Sequence, residues 1–186
     1  SAEKVFEEMM SVYETYGIRN IHFQDDNFTL SIKRVADLCE SIINSGIPLR
    51  WSCQTRPDRV DERLLRTMKR AGCVQIEFGV ESGDEKILKA AKKGYTKSQI
   101  QTAFRLAKKA GIATYGFFIV GLPGETIPSW IKSILFAKRL QLDSSIWTVL
   151  VPYPGPKIYE KKMVEVLNPD YTMWLYKEPT IKSGRL

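Results

Sequence analysis

The sequence predicts an α/β domain whose parallel sheet forms a partial, open barrel, and three observations carry that reading. An amphipathic helix, a glycine suited to close it and a strand recur in that order along the chain. The strands alternate apolar with polar residues, so one face of the sheet is wet. Four strands run out into loops of small or acidic residues, at positions 23–28, 50–56, 76–83 and 118–125. In parallel α/β architectures ligands bind beyond the carboxyl ends of the strands, which makes those loops the candidate site.

Taken in order, Val5, Met9, Val12 and Tyr16 recur at helical spacing before Gly17, and Val35, Leu38, Ile42 and Ile43 do so before Gly46. Gly72 and Gly111 close two further stretches of the same kind. Strands are expected at residues 19–24, 49–54, 74–80, 113–120 and 144–151. Asp61 is placed to cap the helix carrying Leu64, Leu65 and Met68, and Thr96 with Gln99 reads as a capping box before Ile100, Phe104 and Leu106. Thr126, with Pro128 in the first turn, opens a helix through Trp130, Ile134 and Leu135. Regular alternation of strand and helix implies right-handed crossovers and one barrel domain over residues 1–155. Residues 156–186 read as an irregular extension of it, broken by prolines such as Pro156, Pro169 and Pro179.

Strand parity separates an open barrel from an ordinary sheet covered on both faces. Val74, Ile76, Phe78 and Val80 are expected against the helices, with Gln75, Glu77, Gly79 and Glu81 facing inward. The same rule puts Ser52, Gln54 and Arg56 inward, with His22, Gln24 and Asp26 beside them. A closed eight-stranded barrel fills its lumen with branched apolar layers, so a polar lumen points to an open barrel that holds something large and polar.

Bulk properties set the bounds. A chain of 186 residues with 44% hydrophobic content is long enough for one buried core, and no apolar run approaches the ~20 residues of a membrane span, so a soluble cytoplasmic protein is expected. Three widely spaced cysteines, Cys39, Cys53 and Cys73, argue against a disulfide framework and read as structural. The net charge of +7 attracts anions, but the basic residues are spread along helices such as the stretch with Lys89, Lys92 and Lys93, the pattern of a solvated face. Nucleic acid is therefore not the expected partner.

Five segments in this order resemble the radical S-adenosylmethionine superfamily, in the branch associated with cobalamin-binding domains that includes anaerobic magnesium-protoporphyrin monomethyl ester cyclases. They are Asp25-Asp26-Asn27-Phe28, Gly79-Val80-Glu81-Ser82-Gly83, Lys93-Gly94, Gly121-Leu122-Pro123-Gly124-Glu125 and Pro152-Tyr153-Pro154-Gly155. The resemblance implies a six-stranded partial barrel of the (β/α)6 type, a 4Fe-4S cluster on three cysteines in C-x-x-x-C-x-x-C spacing, and S-adenosylmethionine bound to that cluster. No such spacing occurs here. The chain is accordingly expected to hold strands two to six, with the cluster-bearing strand upstream of Ser1, and to be inactive alone. In the intact enzyme the implied activity is generation of a 5'-deoxyadenosyl radical that abstracts hydrogen from a small organic substrate. The electron would come from a flavodoxin or ferredoxin, with cobalamin as a further cofactor of the branch. Tetrapyrrole oxidative cyclisation and radical methylation both fit.

The resemblance also distributes roles, each beside a plainer one. Asp25 and Asp26 stand where the methionyl amine is received, or cap the helix beginning near Ser31. Arg56 faces the methionyl carboxylate, or pairs with Glu77 or Glu81 in a structural ion pair. Glu81 and Ser82 stand at the ribose hydroxyls. Gly121 and Glu125 belong to the adenine-side motif G-x-I-x-G-x-x-E, in which Ile119 and Gly121 match while Phe117 replaces the first glycine and Glu125 falls one residue late; a plain strand-to-helix turn is the alternative. His22, Gln24, Gln54, Glu77 and Tyr115 are candidates to line a substrate pocket, with packing as the alternative for Tyr115. No metal ligand and no catalytic residue is assigned within the chain. Two rival classes are an RNA-modification or RNA-binding module using the basic face, and an ordinary phosphate-binding barrel with no role for Glu81 or Asp26.

Overall fold

The structure is a computed structural model that describes residues 1–151, 165, 166, 181 and 182. Helices α1 (Ala2–Tyr16), α2 (Ile32–Ser45), α3 (Glu62–Arg70), α4 (Glu85–Ala90), α5 (Lys97–Lys109) and α6 (Ile127–Leu140) alternate with strands β1 (Asn20–Phe23), β2 (Arg50–Thr55), β3 (Cys73–Glu81), β4 (Ala113–Val120) and β5 (Ser144–Val149). The strands form one sheet in sequential order β1-β2-β3-β4-β5, with β1, β2 and β3 paired in parallel. Sequential order with a helix between successive strands is the arrangement of an α/β barrel that stays open, the expected class. Two short strands, β6 (Glu165–Val166) and β7 (Ile181–Lys182), pair antiparallel. Pro152-Tyr153-Pro154-Gly155 and most of the 156–186 extension lie outside the described residues.

The chain divides into two compact units. Unit 1 comprises residues 1–79, 99–115 and 142–144; unit 2 comprises residues 80–98, 116–141 and the chain from 145 onward. Strand β3 passes from the first to the second after Gly79, and β4 does so after Tyr115.

In unit 1 the helices form as their caps direct. Ser31 accepts from the Arg34 amide and Asp61 from the Leu64 amide, while Gly17 and Gly46 close α1 and α2 with φ of 68° and 69°. Strand β2 reads as predicted: Trp51, Cys53 and Thr55 are buried, and Ser52 and Gln54 are half-buried. The core is made of Leu38, Ile42, Trp51, Leu65, Met68, Ile76, Phe78 and Phe104, all 2% exposed or less. Each such side chain contributes roughly 1.5–3 kcal/mol relative to exposure.

Strand β3 departs from strict alternation at one point. Trp51 pairs with Cys73, but Ser52 pairs with Gln75, so Val74 is an extra, half-buried residue in a bulge. Ile76, Phe78 and Val80 point into the core as expected, whereas the place expected for Val74 is taken by Cys73 at 0% exposure. A bulge inverts the pattern on one side of itself, and here it turns Cys73 into the core, where its thiol donates to the Gln75 carbonyl at 3.6 Å. The neighbouring Cys73 thiol, together with burial, pushes the Cys53 thiol well up, and burial pushes Cys39 up to about 12. All three cysteines are free, fully buried thiols.

Candidate functional site

Unit 1 presents the end of β1, the end of β2 and the polar face between them. The loop after β1 is pinned by its second half. Phe28, 1% exposed, stacks on Phe23 at 4.6 Å and tilts against Trp51 at 5.5 Å. Thr55 donates to Asn27 Oδ1 at 2.9 Å and also bonds the Thr29 hydroxyl. Ser31, not an aspartate, caps α2, which removes the helix-capping account of Asp25 and Asp26. Asp25 instead pairs with Arg34 at 3.2 Å, and the same guanidinium lies over the Phe28 ring. The Asp26 side chain is exposed and makes no hydrogen bond or ion pair among the described residues. Gln24 is exposed just past the end of β1.

The polar face is ordered in rows by the parallel register. His22, Ser52 and Gln75 share one level, and Gln54 and Glu77 the next. His22 Nδ1 and Ser52 Oγ are 2.7 Å apart, and Gln75 donates to Glu77 at 2.8 Å. Glu77 is thus on the polar face despite being 9% exposed, which upholds the parity reading. Tyr115 lies half-buried on β4. Arg56 holds Asp58 with two hydrogen bonds of 2.9 Å. Burial draws the Asp58 carboxyl upward, and the bonds and charge of Arg56 outweigh it, leaving the group below its ordinary value. A cleft of about 830 Å³ between α2 and α3, lined by Glu40, Glu62, Arg63, Arg66 and Arg70 among others, contains none of the candidate residues.

Unit 2 presents the end of β3 and the end of β4. At the first, Glu81 adopts φ 65°, and the Ser82 amide bonds the Val80 carbonyl at 2.8 Å across it. This is a three-residue turn with a left-handed glutamate at its centre, a conformation costing on the order of 1–3 kcal/mol. The Glu81 carboxylate accepts from Lys93 at 2.8 Å, with only 13% of its side chain exposed. Ser82, expected at the ribose together with Glu81, is placed otherwise: it is 0% exposed, its hydroxyl lies 3.2 Å from that of Ser133 on α6, and it accepts from the Asp84 amide. Gly83 donates to Ser133 at 2.8 Å, and a Cβ on it would lie 2.6 Å from the Ser133 Cα. Asp84 then caps α4 through the Lys86 amide and binds Lys132 at 2.6 Å. Burial raises the Asp84 carboxyl, but Lys132 and the Lys86 amide prevail and hold it below its ordinary value.

At the end of β4, Gly121 has φ 91° and donates to Glu125 Oε2 at 2.6 Å. Glu125 is 1% exposed, and its Oε1 has no hydrogen-bond partner among the described residues. Burial raises this carboxyl, outweighing the Gly121 and Leu122 amides, and the nearby Asp84 charge adds to the rise.

Lys93 and Ser133 are the partners of the β3 end that sequence patterning does not single out. Two signals for them were present: Lys93-Gly94 among the resembling segments, and serines at the i and i+4 positions 129 and 133 of a helix otherwise rich in isoleucine.

Comparisons with known proteins support the resemblance. The model of the radical SAM superfamily matches residues 1–137. An uncharacterized methyltransferase of Pyrococcus horikoshii is 38% identical over 160 residues, covering 86% of this chain and 35% of that protein. The anaerobic magnesium-protoporphyrin IX monomethyl ester cyclase of Cereibacter sphaeroides is 28% identical over 188 residues, covering 99% of this chain and 31% of that one. Among solved structures, the radical S-adenosylmethionine methyltransferase TsrM of Kitasatospora setae, with cobalamin and a 4Fe-4S cluster bound, superposes with a TM-score of 0.73 at 25% identity, over 80% of this chain and 29% of that one. The chain spans about a third of the length of the curated relatives it matches.

Proposed function

Because this chain belongs to the radical S-adenosylmethionine superfamily, we propose that it binds the nucleoside part of S-adenosylmethionine at the β3 and β4 ends of unit 2, in a protein that performs radical chemistry on an organic substrate. The observation that carries the proposal is Glu81. Strain of this kind persists where the surroundings over-determine it, and such sites cluster at ligand contacts. A carboxylate held at a strand end can accept hydrogen bonds from two adjacent ribose hydroxyls. Gly121, left-handed and without a side chain, permits close backbone approach at the adenine side, and Glu125 braces that turn from within. Ser82 takes a supporting part, fixing the turn against α6.

The roles of Asp25, Asp26 and Arg56 at the methionyl group, and of His22, Gln24, Gln54, Glu77 and Tyr115 toward substrate, rest on the family resemblance and on strand parity. When bound, S-adenosylmethionine would supply radical chemistry, one electron from a flavodoxin- or ferredoxin-type donor breaking a carbon–sulfur bond with release of methionine; this chain's residues would orient the cofactor and exclude water. The cysteines of this chain do not fit the iron-sulfur cluster. All three are buried in the core, and no group of three metal-ligating side chains occurs among the described residues. Cobalamin is assigned as a further cofactor on the likeness to the solved methyltransferase. Methyl transfer is preferred to cyclisation, since the 38% identical relative and that structure both carry methyltransferase names.

The test is the affinity of the full-length protein for S-adenosylmethionine. Glu81→Gln weakens binding by about tenfold, the loss of a charge-assisted hydrogen bond, with an unchanged melting temperature. Unaltered affinity refutes the assignment. Mass spectrometry of the product separates methyl transfer from oxidative ring closure.

A further inference from the structure

We infer that Lys93 is a positioning residue for Glu81, carried back to it by a closed bracket over residues 81–93; the inference rests on the nucleoside-binding reading of unit 2. Three non-glycine residues among those described have left-handed backbones: Glu81, Lys92 and Gln141. Gln141 closes α6. Lys92 closes α4, because the Lys92 amide bonds the Lys89 carbonyl at 3.1 Å and the Lys93 amide bonds the Leu88 carbonyl at 3.2 Å. Those two bonds define a Schellman closure with Lys92 at the left-handed position and Lys93 next after it. Glu81 is the one left with no helix to end.

The bracket is built to return a cation to that glutamate. Its first limb is fixed by Gly83 and Ser82 on Ser133 of α6, and by Asp84, which caps α4 while Lys132 holds its carboxylate. The six residues of α4 bury Ile87 and Leu88, which seat the bracket. The Schellman closure reverses the chain, and the Lys93 ammonium meets Glu81 Oε1 at 2.8 Å. A glutamate side chain has three rotors, and ordering them at the moment of binding costs affinity. Holding the carboxylate before the ligand arrives removes that cost.

The experiment uses the full-length protein and 5'-methylthioadenosine, a probe with the ribose and adenine but no amino-acid carboxylate. Calorimetric binding is compared for wild type, Glu81→Gln, Lys93→Met, Lys93→Arg and the Glu81→Gln/Lys93→Met pair, each with its melting temperature. Lys93→Met is expected to weaken the probe three- to tenfold, Lys93→Arg to stay within threefold of wild type, and the double variant to bind no more than twofold worse than Glu81→Gln alone. Additive losses overturn the positioning role, since Lys93 then acts independently of Glu81. A Lys93→Met loss seen with S-adenosylmethionine but absent with the probe also overturns it, placing the ammonium on the ligand's own carboxylate. If Glu81→Gln binds the probe like wild type, the nucleoside-binding reading itself falls; if Glu81→Gln weakens it and Lys93→Met does not, only the inference on Lys93 falls.

Discussion

Replacing Gly83 by alanine tests how the end of β3 is held. A Cβ there would stand 2.6 Å from the Ser133 Cα, 2.7 Å from the Lys132 carbonyl oxygen and 2.7 Å from the Phe136 Cβ. None of these atoms is the tip of a flexible side chain, so relief requires α6 to retreat on the order of 1 Å to reach ordinary carbon contact distance. Retreat stretches the 2.8 Å bond from the Gly83 amide to Ser133 and loosens the packing of Phe136. Overpacking of this kind costs about 2–3 kcal/mol, which in a domain of this size lowers the melting temperature by roughly 4–12 °C. Gly124→Ala is the control: its φ of 80° is strained for alanine, yet nothing lies within 4 Å of its Cβ. It should cost only about 1 kcal/mol. Thermal unfolding followed by circular dichroism measures both. Should Gly83→Ala melt within 2 °C of wild type, or no lower than Gly124→Ala, the close approach of α6 to the β3 end is not what fixes the Glu81 turn.

Further outcomes follow from the same geometry. Glu125 has a raised carboxyl in the folded state, so it binds its proton more tightly there; its contribution to stability is fully present below about 4.5 and is lost as pH rises through the folded value. Glu125→Gln should therefore match wild type in acid and exceed it by about 1–3 kcal/mol at neutral pH in urea unfolding, and equal stabilities at pH 4 and pH 7 would contradict this. Asp84 behaves oppositely, lending stability above the ordinary aspartate value of 3.8 that fades as pH falls through its lowered one. Asp84→Asn should flatten that acid limb in the same titration. Cys39, Cys53 and Cys73 should resist a thiol reagent in native buffer and react together on unfolding, and anaerobic reconstitution of this chain should yield no stoichiometric four-iron cluster. Fast native labelling, or iron and sulfide in cluster ratio, would show the cysteines to be accessible.

Several features were legible without coordinates because they are local. Helix starts at Asp61 and Thr126, and left-handed closures at Gly17 and Gly46, follow from capping chemistry within a few residues. The inward set on β2 follows from the two-residue period of a strand. Helix α4 went unread, since six residues are too few to show a helical period, and Lys92 and Lys93 fall in the turn after it instead of on a helix.

By itself, then, the sequence determined the order of the five strands, the helices long enough to show a period, and the polar face, all through patterns with a period of two or 3.6 residues. Tertiary structure alone decided the bulge at Val74 that turns Cys73 into the core, the burial of Ser82 beneath α6, and the closure of Lys93 on Glu81. Each of these depends on a contact between residues well apart in the chain, such as Trp51 with Cys73, Ser82 with Ser133, and Glu81 with Lys93. Local periodicity carries no record of such meetings. They are settled by packing density and by the need of buried polar groups for partners, and those conditions exist only once the chain has folded.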